Sequence, residues 1–150
     1  MKNNILLLIL TFIFSFSSYS QISEEYQLKE ASKSAMVWFN NLNTENYPES
    51  WKGLSIEITN RFDSTDWAVG VEEMMVSFGD FNGRKEVSRE FKSSWEGLPD
   101  GYYAVFQYES IYKHTEKHSE QLFLHQDDKR KWRVLDYSYD FTEGESYTED

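Results

Sequence analysis

The chain predicts an α+β domain in which three N-terminal helices pack on a curved, four-stranded antiparallel sheet, and three observations carry that prediction. Apolar residues in the first half recur at helical spacing. From Arg84 onward the period changes to two, and the residues become aromatic and β-branched or are flanked by turn signals. The connections between those strands are short, which suits an antiparallel meander.

Taken in order, Ser23 can cap a first helix whose opening turn holds Glu24 and Glu25, where negative charge complements the helix dipole. Leu28, Ala31, Ala35, Trp38, Phe39 and Leu42 then mark one face, and the helix ends near residues 41–43. Pro48 suits the first turn of a second helix, with Trp51, Leu54 and Ile58 on one side before Asn60 to Ser64 breaks the pattern. A third helix starts near Thr65 or Asp66, buries Trp67, Val71, Met74, Met75 and Phe78, and ends in Gly79 to Gly83. Strands follow at about 84–94, 102–113, 119–126 and 131–141. Leu98 to Gly101, a loop around His114 to His118, and Asp127 to Arg130 separate them. Helices first and strands second is the segregated order that lays helices across one sheet face.

Residues 1–20 read as a signal peptide: one early lysine, an apolar run from Ile5 to Phe16, then Ser18 and Ser20 around Tyr19. The run is shorter than the roughly 20 residues of a bilayer span, and cleavage after Ser20 is expected. The product is periplasmic or secreted. The chain has no cysteine, so it has neither a lipid attachment site nor disulfides, and stability must come from the core. Residues 21–141 form one domain by length, and the acidic segment 142–150 is expected to fray. Acidic residues outnumber basic ones 26 to 15, which argues against nucleic acid and anionic membranes as partners. Lys129-Arg130-Lys131 follows Asp127-Asp128 and reads as a solvated hairpin tip.

The order Trp38, Asn43, Tyr47, Ser50-Trp51, Trp67, Arg89, Pro99-Asp100-Gly101, Glu120, Trp132-Arg133-Val134 and Tyr137 resembles a family of exported bacterial domains, domain of unknown function 4019. The resemblance spans almost the whole chain after residue 20. It implies the cystatin-like cone typified by nuclear transport factor two, a curved sheet and helices around a pocket, and it implies no catalytic residues. The family's usual acid is Asn43 here, which can accept a hydrogen bond but cannot exchange a proton near neutral pH.

In such a cone the carboxylates Glu109, Glu120 and Asp136 are the groups to weigh. By strict alternation Asp136 shares a side with Trp132 and Val134, and Glu120 with Leu122 and Leu124. Burial would suit either as a general base, with Tyr108 or Tyr137 as hydrogen-bond donor. The favoured reading is structural: Glu120 paired to Arg89 or Arg133, and Asp136 solvated. His114 and His118 read as loop residues without a third metal ligand, and His125 as a surface or packing residue. Asp80-Phe81-Asn82-Gly83 reads as a turn, since it lacks the later ligands of a calcium loop. Nucleophile elbows and phosphate loops are missing, so no cofactor is implied.

Aromatic residues on the strands remain. Tyr102, Phe106, Tyr108 and Tyr112 fall on one face, and Tyr103, Val105 and Ile111 on the other. One face packs the helices, and the other is a dimer interface or an adhesive surface. The reading favours a non-enzymatic module binding a small amphipathic ligand or a partner protein, with Tyr102, Phe106, Tyr108, Tyr112, Trp132 and Tyr137 as candidate contacts. The alternatives are a pocket isomerase or dehydratase using Asp136 or Glu120, and a structural homodimer.

Overall fold

A computed structural model describes residues 24–144, which form four helices followed by one sheet. The expected signal peptide, the Ser23 cap and residues 145–150 of the acidic segment lie outside the described residues. Helix α1 covers residues 24–43. The predicted stripe is its buried face: Ala31, Ala35, Trp38, Phe39 and Leu42 are buried, and Leu28 packs beside them. No helix among the described residues is long and apolar enough to cross a membrane.

The predicted second helix is two helices, α2 (Tyr47–Lys52) and α3 (Ile56–Thr59). Between them the chain adds itself to the sheet edge. Val134 N donates to Gly53 O at 2.9 Å and Ser55 N donates to Val134 O at 2.8 Å, so Leu54 forms a parallel bridge to Val134. Backbone groups used in that bridge are withdrawn from the helical ladder, which is why the stripe continues while the helix does not. Helix α4 (Ser64–Phe78) begins at an Asp63 cap, whose carboxylate accepts from the backbone N–H of Thr65 and Asp66. It buries Val71, Met75 and Phe78 and stops at Gly79, whose φ of 77° favours glycine.

The strands β1 (Phe81–Lys92), β2 (Tyr103–Tyr112), β3 (Thr115–Gln126) and β4 (Trp132–Glu143) pair antiparallel in sequence order. This is the expected meander, with shifted boundaries. β1 starts three residues early, so Phe81 to Gly83 is strand rather than turn. β4 runs through Glu143, carrying Thr142 and Glu143 out of the expected fray and into pairing with Glu116 and Thr115. The loop expected at His114 to His118 contracts to a tight turn, because His114 N donates to Phe78 O and Lys113 N to Asp80 O. The helices cover the face bearing Ala104, Phe106, Tyr108, Tyr112, Leu122, Leu124, Trp132 and Val134. On the opposite face Tyr103 is also buried, beneath Trp95, Phe123 and His125, with its hydroxyl donating to Pro99 O at 2.5 Å.

Candidate functional site

Alternation along β3 aims His118, Glu120, Leu122 and Leu124 at the helices. Glu120 is 2% exposed and is surrounded by donors. Arg84, from β1, grips it with both arms: Nε to Oε2 at 2.6 Å and Nη2 to Oε1 at 3.0 Å. Tyr137 donates to Oε1 at 2.6 Å, Tyr112 at 3.1 Å, and Ser110 donates to Oε2. The Arg84 guanidinium lies 3.6 Å from the centre of the Phe39 ring, so α1 closes the cluster from above. Burial alone would push the Glu120 carboxyl up, but Arg84, Ser110 and Tyr137 outweigh it and hold the group below its ordinary range. Burial and the neighbouring carboxylate push the Tyr112 and Tyr137 hydroxyls up.

A carboxylate has about four lone-pair positions, and five hydrogen bonds already converge on this one. Nothing is left with which to accept a substrate proton. The partner differs from the expected Arg89 or Arg133. Arg89 pairs with Glu86 near the surface, and Arg133 binds Asp127 at 3.0 Å and Lys52 O at 2.6 Å. Arg84 escaped the sequence reading because its pairing joins positions 36 apart and depends on strand register. The available signal was an arginine just after Gly83 at the head of an aromatic sheet.

Asp136 does not share a side with Trp132 and Val134. Leu135 is an extra residue between the Leu124↔Val134 and Phe123↔Asp136 pairs, and this bulge reverses the phase of β4. Tyr137 therefore enters the Glu120 cluster and Asp136 is exposed, as is Glu109. His118 also departs from expectation, being buried rather than in a loop. Lys117, at φ 48°, forms a second bulge that lets Thr115 and His118 both face inward. The His118 ring stacks on Phe141 at 5.2 Å and meets Phe78 edge-on at 4.5 Å. Its Nδ1 is 2.9 Å from Thr115 Oγ1, its Nε2 has no partner among the described residues, and burial pulls its pKa down.

Of the aromatic candidates, Phe106, Tyr108 and Tyr112 are core residues, and Tyr137 packs against that core. The Tyr108 hydroxyl is buried without a partner among the described residues and is pushed up by burial. His125 stacks flat on Tyr103 on the far sheet face, and His114 caps the turn over Gly79. No group of three or more metal-ligating side chains occurs among the described residues. Tyr102 and Trp132 instead line a cleft of about 950 Å³ between α1, α2 and the Gln126–Trp132 end of the sheet. Trp38, Val37, Leu124 and Val134 supply more of its wall. Gln126 donates to Gln27 of α1 at 3.2 Å, tying the two sides of this region together. The indole N–H groups of Trp38 and Trp132 are both buried without a partner among the described residues.

A family model described as Protein of unknown function (DUF4019) matches residues 34–137. The chain belongs to this family. The DUF4019 match takes in Trp38, the Arg84–Glu120 pair and the turn from β3 into the first half of β4, so both the sealed cluster and most of the cleft fall within it. At Asn43, the Oδ1 is buried without a hydrogen bond, so the amide oxygen does not serve as an acceptor among the described residues. Comparison with the curated proteins and with the solved structures finds no match.

Proposed function

We propose that this chain is an exported, cystatin-like cone domain that binds a small amphipathic ligand in the cleft between α1 and the open end of the sheet. One observation carries the reading: a cleft of about 950 Å³ whose wall sets Trp38, Leu124, Trp132 and Val134 beside charged and amide side chains. A concave site of about 950 Å³ that mixes aromatic and aliphatic wall residues with charged ones is of the usual size for a small molecule and suits an amphipathic one. Export is supported by the pattern of residues 1–20. Catalysis by Glu120 is disfavoured because Arg84, Ser110, Tyr112 and Tyr137 saturate it.

The test is calorimetric titration of the purified protein with 1-decanol, alongside Ser34→Phe, which projects a ring into the cleft from α1. Saturable one-to-one binding is expected, lost in the variant while its thermal midpoint stays unchanged. No saturable heat, or equal binding by the variant, refutes the cleft as the site.

A further inference from the structure

The cleft carries the wrong charge for this molecule. The chain has a formal charge of −11, with 26 acidic and 15 basic residues, yet five cationic side chains line the cleft against two acids, Glu30 and Glu49. An adjoining cleft of about 630 Å³ has the opposite character, lined by Glu57, Asp100, Asp127 and Asp128. Lys52 and Arg133 line both clefts, and the balance of charge reverses across them.

The five cations are not equivalent. Lys33 is paired to Glu30 at 2.6 Å, Lys52 to Glu49, and Arg133 to Asp127 at 3.0 Å. Among the described residues Arg130 and Lys131 make no salt bridge. Both stand on a preformed turn. Asp127 Oδ1 accepts from the backbone N–H of Lys129 at 2.9 Å and of Lys131 at 2.8 Å, and Arg130 takes φ 59° to close the hairpin. The tip that the sequence presents as a solvated turn is therefore also the rim of the cleft, one residue from Trp132.

We infer that the cleft selects an amphipathic anion, a single-chain carboxylate whose head group is held by Arg130 and Lys131 and whose tail lies along Trp38, Leu124 and Trp132. This rests on the amphipathic-cleft reading above. A neutral head forgoes both unpaired cations, and a cationic head is repelled by them.

Decanoate, 1-decanol and decyltrimethylammonium separate the possibilities, each titrated into the purified protein and into Arg130→Gln/Lys131→Gln. Both substituted residues are exposed, and glutamine leaves the turn backbone unchanged in kind. Decanoate should bind about three- to tenfold tighter than 1-decanol, the worth of two solvent-exposed charge pairs, and weaken with added salt. The double substitution should erase that preference and leave 1-decanol binding unaltered. Equal affinity for decanoate and 1-decanol, or an unchanged preference in the variant, overturns the anion inference while the cleft reading survives. Failure of every ligand to bind sinks both. Sedimentation with phosphatidylglycerol vesicles in the absence of decanoate binding overturns it in favour of a membrane surface.

Discussion

Replacing Arg84 by methionine should be among the most damaging single changes in this fold, and its cost should depend on pH in a definite direction. The Arg84 side chain is 10% exposed and that of Glu120 is 0% exposed, so the substitution strands a carboxylate among aromatic rings. Breaking a buried pair from one side costs about 3–5 kcal/mol. For a domain of this size that lowers the thermal midpoint by roughly 10–20 °C. Ser110, Tyr112 and Tyr137 still donate, which places the expected loss toward the lower end. In the native protein Glu120 is depressed, so its contribution is present above the ordinary carboxylate range and is lost only as pH falls through the lowered value. Without Arg84, burial dominates and raises the group. The variant's deficit must then shrink on acidification, by up to about 1.4 kcal/mol per pH unit, as its Glu120 takes up a proton that the native protein refuses. Urea unfolding followed by tryptophan fluorescence at pH 7 and pH 4.5 measures both quantities. Arg84→Met/Glu120→Leu should recover most of the loss, since well-packed apolar replacements of buried pairs are often neutral. A loss under about 1 kcal/mol at pH 7, or a deficit that grows toward acid, refutes the argument.

Two further outcomes follow from the same packing. His118 is held below its ordinary pKa, so below about pH 6.5 the unfolded chain binds more protons than the native one and stability falls as pH falls. His118→Phe should flatten the urea midpoint between pH 5 and 7; an unchanged slope assigns the dependence to other groups. Gly79→Ala should lose about 1–3 kcal/mol, because Gly79 sits at φ 77° and a Cβ there would lie 2.7 Å from His114 Nδ1. Gly83→Ala, with open space around it and no positive φ, should stay within about 0.5 kcal/mol, and similar urea midpoints for the two variants would refute the strain.

The helix stripe of α1 and the alternation of β3 were legible because each is a local period imposed by burial on one side. Glu120 among Leu122 and Leu124 belongs to that class. What escaped reading was non-local. Leu135 is an ordinary strand residue, and only the pairing with β3 shows it to be a bulge that swaps Tyr137 for Asp136 on the inner face. Leu54 keeps helical spacing with Trp51 and Ile58, yet the edge of β4 takes its backbone. Arg84 shows the same limit, since its role depends on a strand two places away in the sheet.

Along β3 the inner face runs from a sealed end to an open one. His118 lies in a stack of Phe78, Tyr112, Tyr139 and Phe141; Glu120 follows under Phe39 and Arg84; Leu124 and Gln126 reach the cleft. Helix α1 spans the same gradient, from Gln27 against Gln126 to Phe39 against Tyr108 and Tyr137. A fully bonded ion pair in mid-sheet fixes the register of β1, β2, β3 and β4 at once, because its donors come from three strands and its acceptor from the fourth. That is specificity of structure rather than chemistry. The pair also bears on the cleft: Tyr137 and Trp38 pack edge to face with ring centres 5.2 Å apart, so the ring that bonds Glu120 buttresses a tryptophan of the cleft wall. Loosening the pair should therefore weaken binding without altering any residue that contacts the ligand, and Arg84→Met assayed with decanoate under conditions where it remains folded would show that coupling as a loss of affinity.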